Sequence, residues 1–199
     1  MRRTSRHPSM LGILALSLLL AACAETAGSV RPLGPEPATV ELAGYRKLVL
    51  ATSASPAVAL TEDDLQRISR LILTKLHEQA PGRFESFDVR VSPSIVVGAV
   101  RPSEPQAGAG AAEPGLLGAE LAITRYERGS AFARMMLAGL GQIHIDGELA
   151  LVDRASGREL ARKIVSKTFA WGGLYGGLTD IRDVEEGFAA AVASAILGR

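Results

Sequence analysis

The chain has 199 residues, 22 Lys+Arg against 21 Asp+Glu, 47% hydrophobic residues and one Cys. So even a balance excludes the basic footprint that nucleic acid or anionic headgroups demand, and a single thiol excludes an internal disulfide framework. The length suits one domain with a core large enough to fold without covalent staples.

The N-terminus reads as a targeting segment. Arg2, Arg3 and Arg6 precede an apolar run that starts near Met10 and ends in Leu20-Ala21-Ala22-Cys23. A positive start, about a dozen apolar residues and small residues before a cut site define a secretory signal, and such a run is too short to span a bilayer stably. Leu20-Ala21-Ala22-Cys23 resembles the lipobox of bacterial lipoproteins. The resemblance implies that the Cys23 thiol accepts a diacylglycerol, that cleavage makes it residue one, and that the mature chain carries acyl chains such as palmitate. Thr4-Ser5-Arg6-His7 does not fit a twin-arginine signal. Ala24, where inner-membrane lipoproteins of enteric type carry Asp, implies the outer membrane facing the periplasm; the inner membrane stays open. Without residues 1–22 the chain keeps 177 residues, 19 basic and 21 acidic. Attachment then rests on acyl chains, at about 0.8 kcal/mol per buried methylene.

Residues 23–44 are rich in Ala, Gly and Pro, with Pro32, Pro35 and Pro37, and read as a tether with a reach of roughly 25 Å. One domain is expected over residues 45–199. A strand is predicted from Tyr45 to Ala51. A helix follows, capped by Thr61 with Asp64 three residues on, and its stripe of Leu65, Ile68, Ile72 and Leu76 is widened by Leu71 and Leu73. Pro81-Gly82 stops it. Strands are expected near Phe87 to Val91 and from Ile95 to Val100, which gives the opening a βαβ succession. Arg101 to Pro114, with Ala-Gly repeats and three Pro, reads as a loop.

Two long strands follow, Leu116 to Tyr126 and Gln142 to Val152, and a third runs from Glu159 to Trp171. Asp153 to Arg158 joins the last two as a hairpin. Between the long strands, Ser130 can start a short helix that Gly139 and Gly141 end, with Arg128 and Arg134 bracketing Phe132, Met135, Met136 and Leu137. That patch reads first as core laid across the sheet and second as a docking surface. A closing helix is expected from Asp180 to Leu197, capped by Asp180 and buried along Ile181, Val184, Phe188, Val192 and Ala195. The fold class is α+β: a mostly antiparallel sheet of about five strands with the Thr61 and Asp180 helices on one face.

Alternation in Gln142 to Val152 sends Ile143, Ile145, Leu149 and Leu151 one way and His144, Asp146 and Glu148 the other. The polar row reads as a solvated strand face; no second His or Cys stands near to complete a metal site. His77 suits the end of its helix. Trp171-Gly172-Gly173-Leu174-Tyr175-Gly176-Gly177 reads as a Gly-rich connector, with two rings that also make it the best place to look for binding. No Gly-x-Ser-x-Gly elbow is present, and no thiol remains beyond the anchor.

Tyr126-Glu127-Arg128-Gly129-Ser130 with Arg134 and Gly139-Leu140-Gly141, followed by Asp153-x-x-x-Gly157 and the Trp171-Gly-Gly string, resembles the domain-of-unknown-function 4410 family, whose members are mostly small envelope lipoproteins. The resemblance spans roughly Tyr45 to Leu197, departs at Arg101 to Pro114, and implies no established activity. The expectation is a lipid-anchored, non-enzymatic binding or assembly module without cofactor or metal. It docks an envelope protein or glycan through Trp171, Gly172, Gly173, Tyr175, Arg128 and Arg134. The alternative is an auxiliary lipoprotein subunit of an envelope transport complex, by analogy of layout.

Overall fold

The computed structural model describes residues 28–34, 41–92, 114–137, 140–170 and 173–199. The signal, Cys23, the strand expected at 95–100 and the loop at 101–113 lie outside them. Among the described residues the elements are, in order, β1 (Ser29–Pro32), β2 (Lys47–Ala54), α1 (Glu62–Gln79), β3 (Ser86–Ser92), β4 (Leu116–Glu127), α2 (Ala131–Met136), β5 (Ile143–Asp153), β6 (Glu159–Phe169), α3 (Gly173–Leu178) and α4 (Ile181–Ile196).

The strands form one six-stranded sheet in the order β1-β6-β5-β4-β2-β3. Pairing is antiparallel from β1 through β4 and parallel where β2 meets β4 and β3. Two expectations change here. The sheet is mixed, because a strand–helix–strand unit whose strands pair directly must return them parallel. It also gains a strand inside the expected tether. Ser29–Pro32 pairs with Ser166–Lys163 at the sheet edge, which takes only main-chain hydrogen bonds to one neighbour and therefore no apolar alternation. Gly28 lets the chain in: a Cβ there would stand 2.6 Å from the Ala191 Cβ.

Helices α1 and α4 lie side by side on one face, and the core sits between them and the sheet. α1 begins at a reciprocal cap, in which the Asp64 amide donates to Thr61 Oγ1 (3.2 Å) and the Thr61 amide to Asp64 Oδ2 (3.1 Å). α4 repeats the device with Asp180 and Asp183. Leu65, Ile68, Ile72 and Leu76 of α1 and Ile181, Val184, Phe188, Val192 and Ala195 of α4 are buried, as their spacing requires. The Phe188 ring lies over Gly147 of β5, where a Cβ would come within 3.2 Å of Phe188 Cζ and 3.1 Å of Leu121 Cδ1. Only a residue without a side chain lets α4 settle that close.

A β-bulge interrupts the β4–β5 pairing between Ile123 and Arg125. Ile123 is buried on the helix side; strict alternation would send Arg125 there too. The extra residue reverses the phase, so Arg125 turns to solvent and Tyr126 turns under the helices.

Candidate functional site

The two segments singled out in the sequence come together at one end of the sheet. α2 leaves the end of β4, α3 follows the end of β6, and the two short helices pack on each other. The approach is close at Gly177, where a Cβ would lie 3.1 Å from the Met135 Cβ. Their outer side is apolar and uncovered. Phe132 is 67% exposed, Leu174 72% and Leu178 75%, and Met135, Met136, Leu137 and Leu140 are exposed with them. The reading of the Phe132 patch as core is thus overturned. Six residues make too short a helix to cross a 12-residue strand, and α1 and α4 already fill the helical layer.

Arg134 has a different role from the one assigned to it. It is 3% exposed, and its guanidinium donates to the carbonyls of Gly141 (2.7 Å), Thr179 (3.0 Å) and Arg128 (3.2 Å). One side chain therefore ties α2 to both the β4 exit and the α3–α4 junction, and it is not displayed to a partner. Arg128 itself is exposed. Gly173 opens α3 and Tyr175 lies within it, so the expected open connector is partly helical; Trp171 and Gly172 lie outside the described residues.

The remaining residues of the resemblance build turns. Gly129 has φ +61°, and a Cβ there would stand 2.2 Å from the Gln142 carbonyl oxygen. Ser130 caps α2 by accepting from the Ala133 amide at 3.2 Å. Asp153 accepts from the Ala155 amide and the Ser156 hydroxyl, both at 2.9 Å, which draws its carboxyl below the ordinary range, and Gly157 closes the hairpin at φ +70°.

Beside the apolar shelf lies a polar cleft of about 200 Å³, lined by Asp64, Arg67, Tyr126, Arg128, Asp180, Ile181 and Arg182. Sequence reading missed it, because its residues come from β4 and the starts of α1 and α4. Behind the lining residues Arg67 and Tyr126, Glu185, 1% exposed, receives two hydrogen bonds from Arg67 (2.9 and 3.1 Å) and one from the Tyr126 hydroxyl (2.6 Å). Arg67 also donates to Asp64 at 2.8 Å. Burial, then the Glu185 hydrogen bond, holds the Tyr126 phenol well above its ordinary range. The Thr61 hydroxyl foremost, then Arg67, brings the Asp64 carboxyl down to about 2. Arg128 and Arg182 are exposed at the rim, so the cleft offers two guanidinium groups to a carboxylate, phosphate or sugar hydroxyl.

His144, Asp146 and Glu148 stand in a row on the sheet face away from α1 and α4. His144 Nδ1 lies 3.1 Å from Thr168 Oγ1, Asp146 meets Arg125 at 4.0 Å, and Glu148 meets Arg162 at 3.8 Å. Among the described residues no three His, Cys, Asp or Glu side chains converge as a metal site would require, and no helix is long and apolar enough to cross a membrane.

Fold and site together define a two-layer α+β domain that carries an apolar shelf and a polar cleft at one end of its sheet. Residues 103–173 match the family model described as Domain of unknown function (DUF4410), and over that stretch, from before β4 to the start of α3, the chain is DUF4410-like. No curated protein matches it. Among solved structures it is similar to the PelC dodecamer from Paraburkholderia phytofirmans, at 18% identity over 86% of this chain and 99% of that one, TM-score 0.48. A lipoprotein candidate from Caulobacter crescentus CB15 matches at 18% identity over 78% and 85%, TM-score 0.36.

Proposed function

We propose that this is a lipid-anchored cell-envelope protein, held at the outer membrane through Cys23, that acts as a non-enzymatic binding or assembly module for an envelope protein or glycan. The observation that carries the reading is Leu20-Ala21-Ala22-Cys23 after an apolar export signal, directly ahead of a folded domain. A non-enzymatic role is supported by the polar row of β5, whose His144, Asp146 and Glu148 each lie against a cross-strand neighbour on an open face. The cleft rimmed by Arg128 and Arg182 is the surface offered to the partner.

Intact-mass measurement of the chain from bacterial membranes is expected to show a product starting at Cys23 with a diacylglycerol on sulfur. An unmodified thiol or another terminus would overturn the anchor. Crosslinking of whole envelopes with Arg128→Glu/Arg182→Glu is expected to lose the partner bands seen with the native chain, while the thermal transition stays in place. Unchanged bands would remove the cleft from the reading.

A further inference from the structure

We propose that the exposed shelf of α2 and α3 rests on the lipid leaflet that holds the Cys23 anchor, so that the domain is fixed against the membrane by a second, apolar contact. The inference builds on the anchor reading above. Its own support is topological. β6 runs toward the shelf and delivers the chain to α3. β1 is antiparallel to β6, and Ser29 pairs with Ser166, three residues short of the end of β6. The chain therefore enters the sheet from the shelf end. Gly28, already seated against Ala191, is five Cα steps from Cys23, which span at most about 18 Å by any path. A leash that short, attached at that end, keeps the shelf beside the leaflet and away from the periplasm.

The chemistry of the shelf fits that neighbour. Contiguous exposed apolar surface on this scale is unusual for a protein surrounded by water. Phe132, Met136, Leu174 and Leu178 are the residue types that settle into the boundary between headgroups and acyl chains, about 5–10 Å deep. The mature chain is close to neutral, so charge neither drives nor opposes the contact. Arg134 holds both helices from beneath by three carbonyls, which keeps the shelf rigid without a partner.

The test uses the full acylated chain in vesicles of phosphatidylethanolamine and phosphatidylglycerol that contain a doxyl-labelled lipid. A fluorophore is placed through Leu178→Cys and, as the control, through Ala155→Cys in the exposed hairpin at the other end of β5, about 30 Å away. Both positions are outside the core, and circular dichroism confirms folding of each variant. The expected result is a loss of fluorescence at position 178 and none at position 155. An acylated, vesicle-bound chain with no quenching at 178 would overturn the lipid contact while leaving the anchor intact. If the unlabelled Leu178→Cys chain, acylated and vesicle-bound, instead forms a disulfide dimer when a thiol oxidant such as copper phenanthroline is added, the shelf belongs to a second copy and the proposal falls. An unacylated Cys23 would overturn the anchor reading and the orientation built on it.

Discussion

At the level of single residues, the group with the most at stake is Glu185. A carboxyl group that is 1% exposed is accommodated there because Arg67 and Tyr126 surround it with three hydrogen bonds. Glu185→Ala leaves the Tyr126 hydroxyl and two N–H groups of Arg67 without their acceptor. Because Arg67 is still 29% exposed, the loss belongs at the low end for a broken buried pair, about 3 kcal/mol by urea unfolding. Tyr126→Phe is expected to cost about 1.5–3 kcal/mol. The two effects should fall short of additive in the double variant, since both remove the same bond; simple additivity would show that the triad does not act as a unit. Asp64 contributes to the acid sensitivity. Its folded value of about 2 lies below its ordinary 3.8, so its contribution is complete above 3.8 and disappears as pH falls through 2. Thr61→Val should raise the Asp64 midpoint in a carboxyl NMR titration and flatten the acid limb of the stability curve. Loss of the cap should also lower stability by about 1 kcal/mol. An unmoved midpoint would reject the Thr61 hydroxyl as the main cause.

The elements differ in what holds them. α1 and α4 are held by long apolar stripes and reciprocal caps, and both were legible from spacing alone, down to the cap residues Thr61 and Asp180. α2 and α3 have six residues each, too few to be stable by themselves, and they depend on Arg134. Arg134→Met is therefore expected to speed amide hydrogen exchange in Ala131–Met136 and Gly173–Leu178 while protection in β4, β5 and β6 stays native. Uniform loss of protection would mean that the clamp supports the whole fold. Gly147→Ala presses a methyl toward Phe188 and Leu121 and should cost about 1–3 kcal/mol in denaturant unfolding; a neutral result would show that α4 can shift away. β1 and the short helix of the Gly-rich segment escaped sequence reading for one reason. An edge strand and a helix of six residues are fixed by neighbours, and they leave no periodic trace in the chain.

For the molecule as a whole, the decisive relation is between the sheet edge and its end. A tether that reached residue 44 would let the domain turn freely; with Ser29 paired to β6, the proposed Cys23 anchor is instead separated from the sheet by only five Cα steps to Gly28. Inserting about a dozen Gly and Ser residues ahead of Gly28 adds roughly 20 Å of reach. Lipid quenching at a Leu178→Cys label should then fall although the chain remains vesicle-bound; unchanged quenching would mean that the shelf holds the membrane without help from the leash. Sequence by itself determined what depends on local chemistry: the βαβ opening, the long strands, the two amphipathic helices and their caps. These follow from periodicity and from hydrogen bonds between residues three apart. Only the tertiary structure decided which residues meet. The bulge before Arg125 sends Tyr126 to Glu185, β2 separates β4 from β3, and two short helices lie side by side with their large apolar side chains outward. Those outcomes arise from pairing register and packing between elements far apart in the chain, which no local pattern of residues encodes.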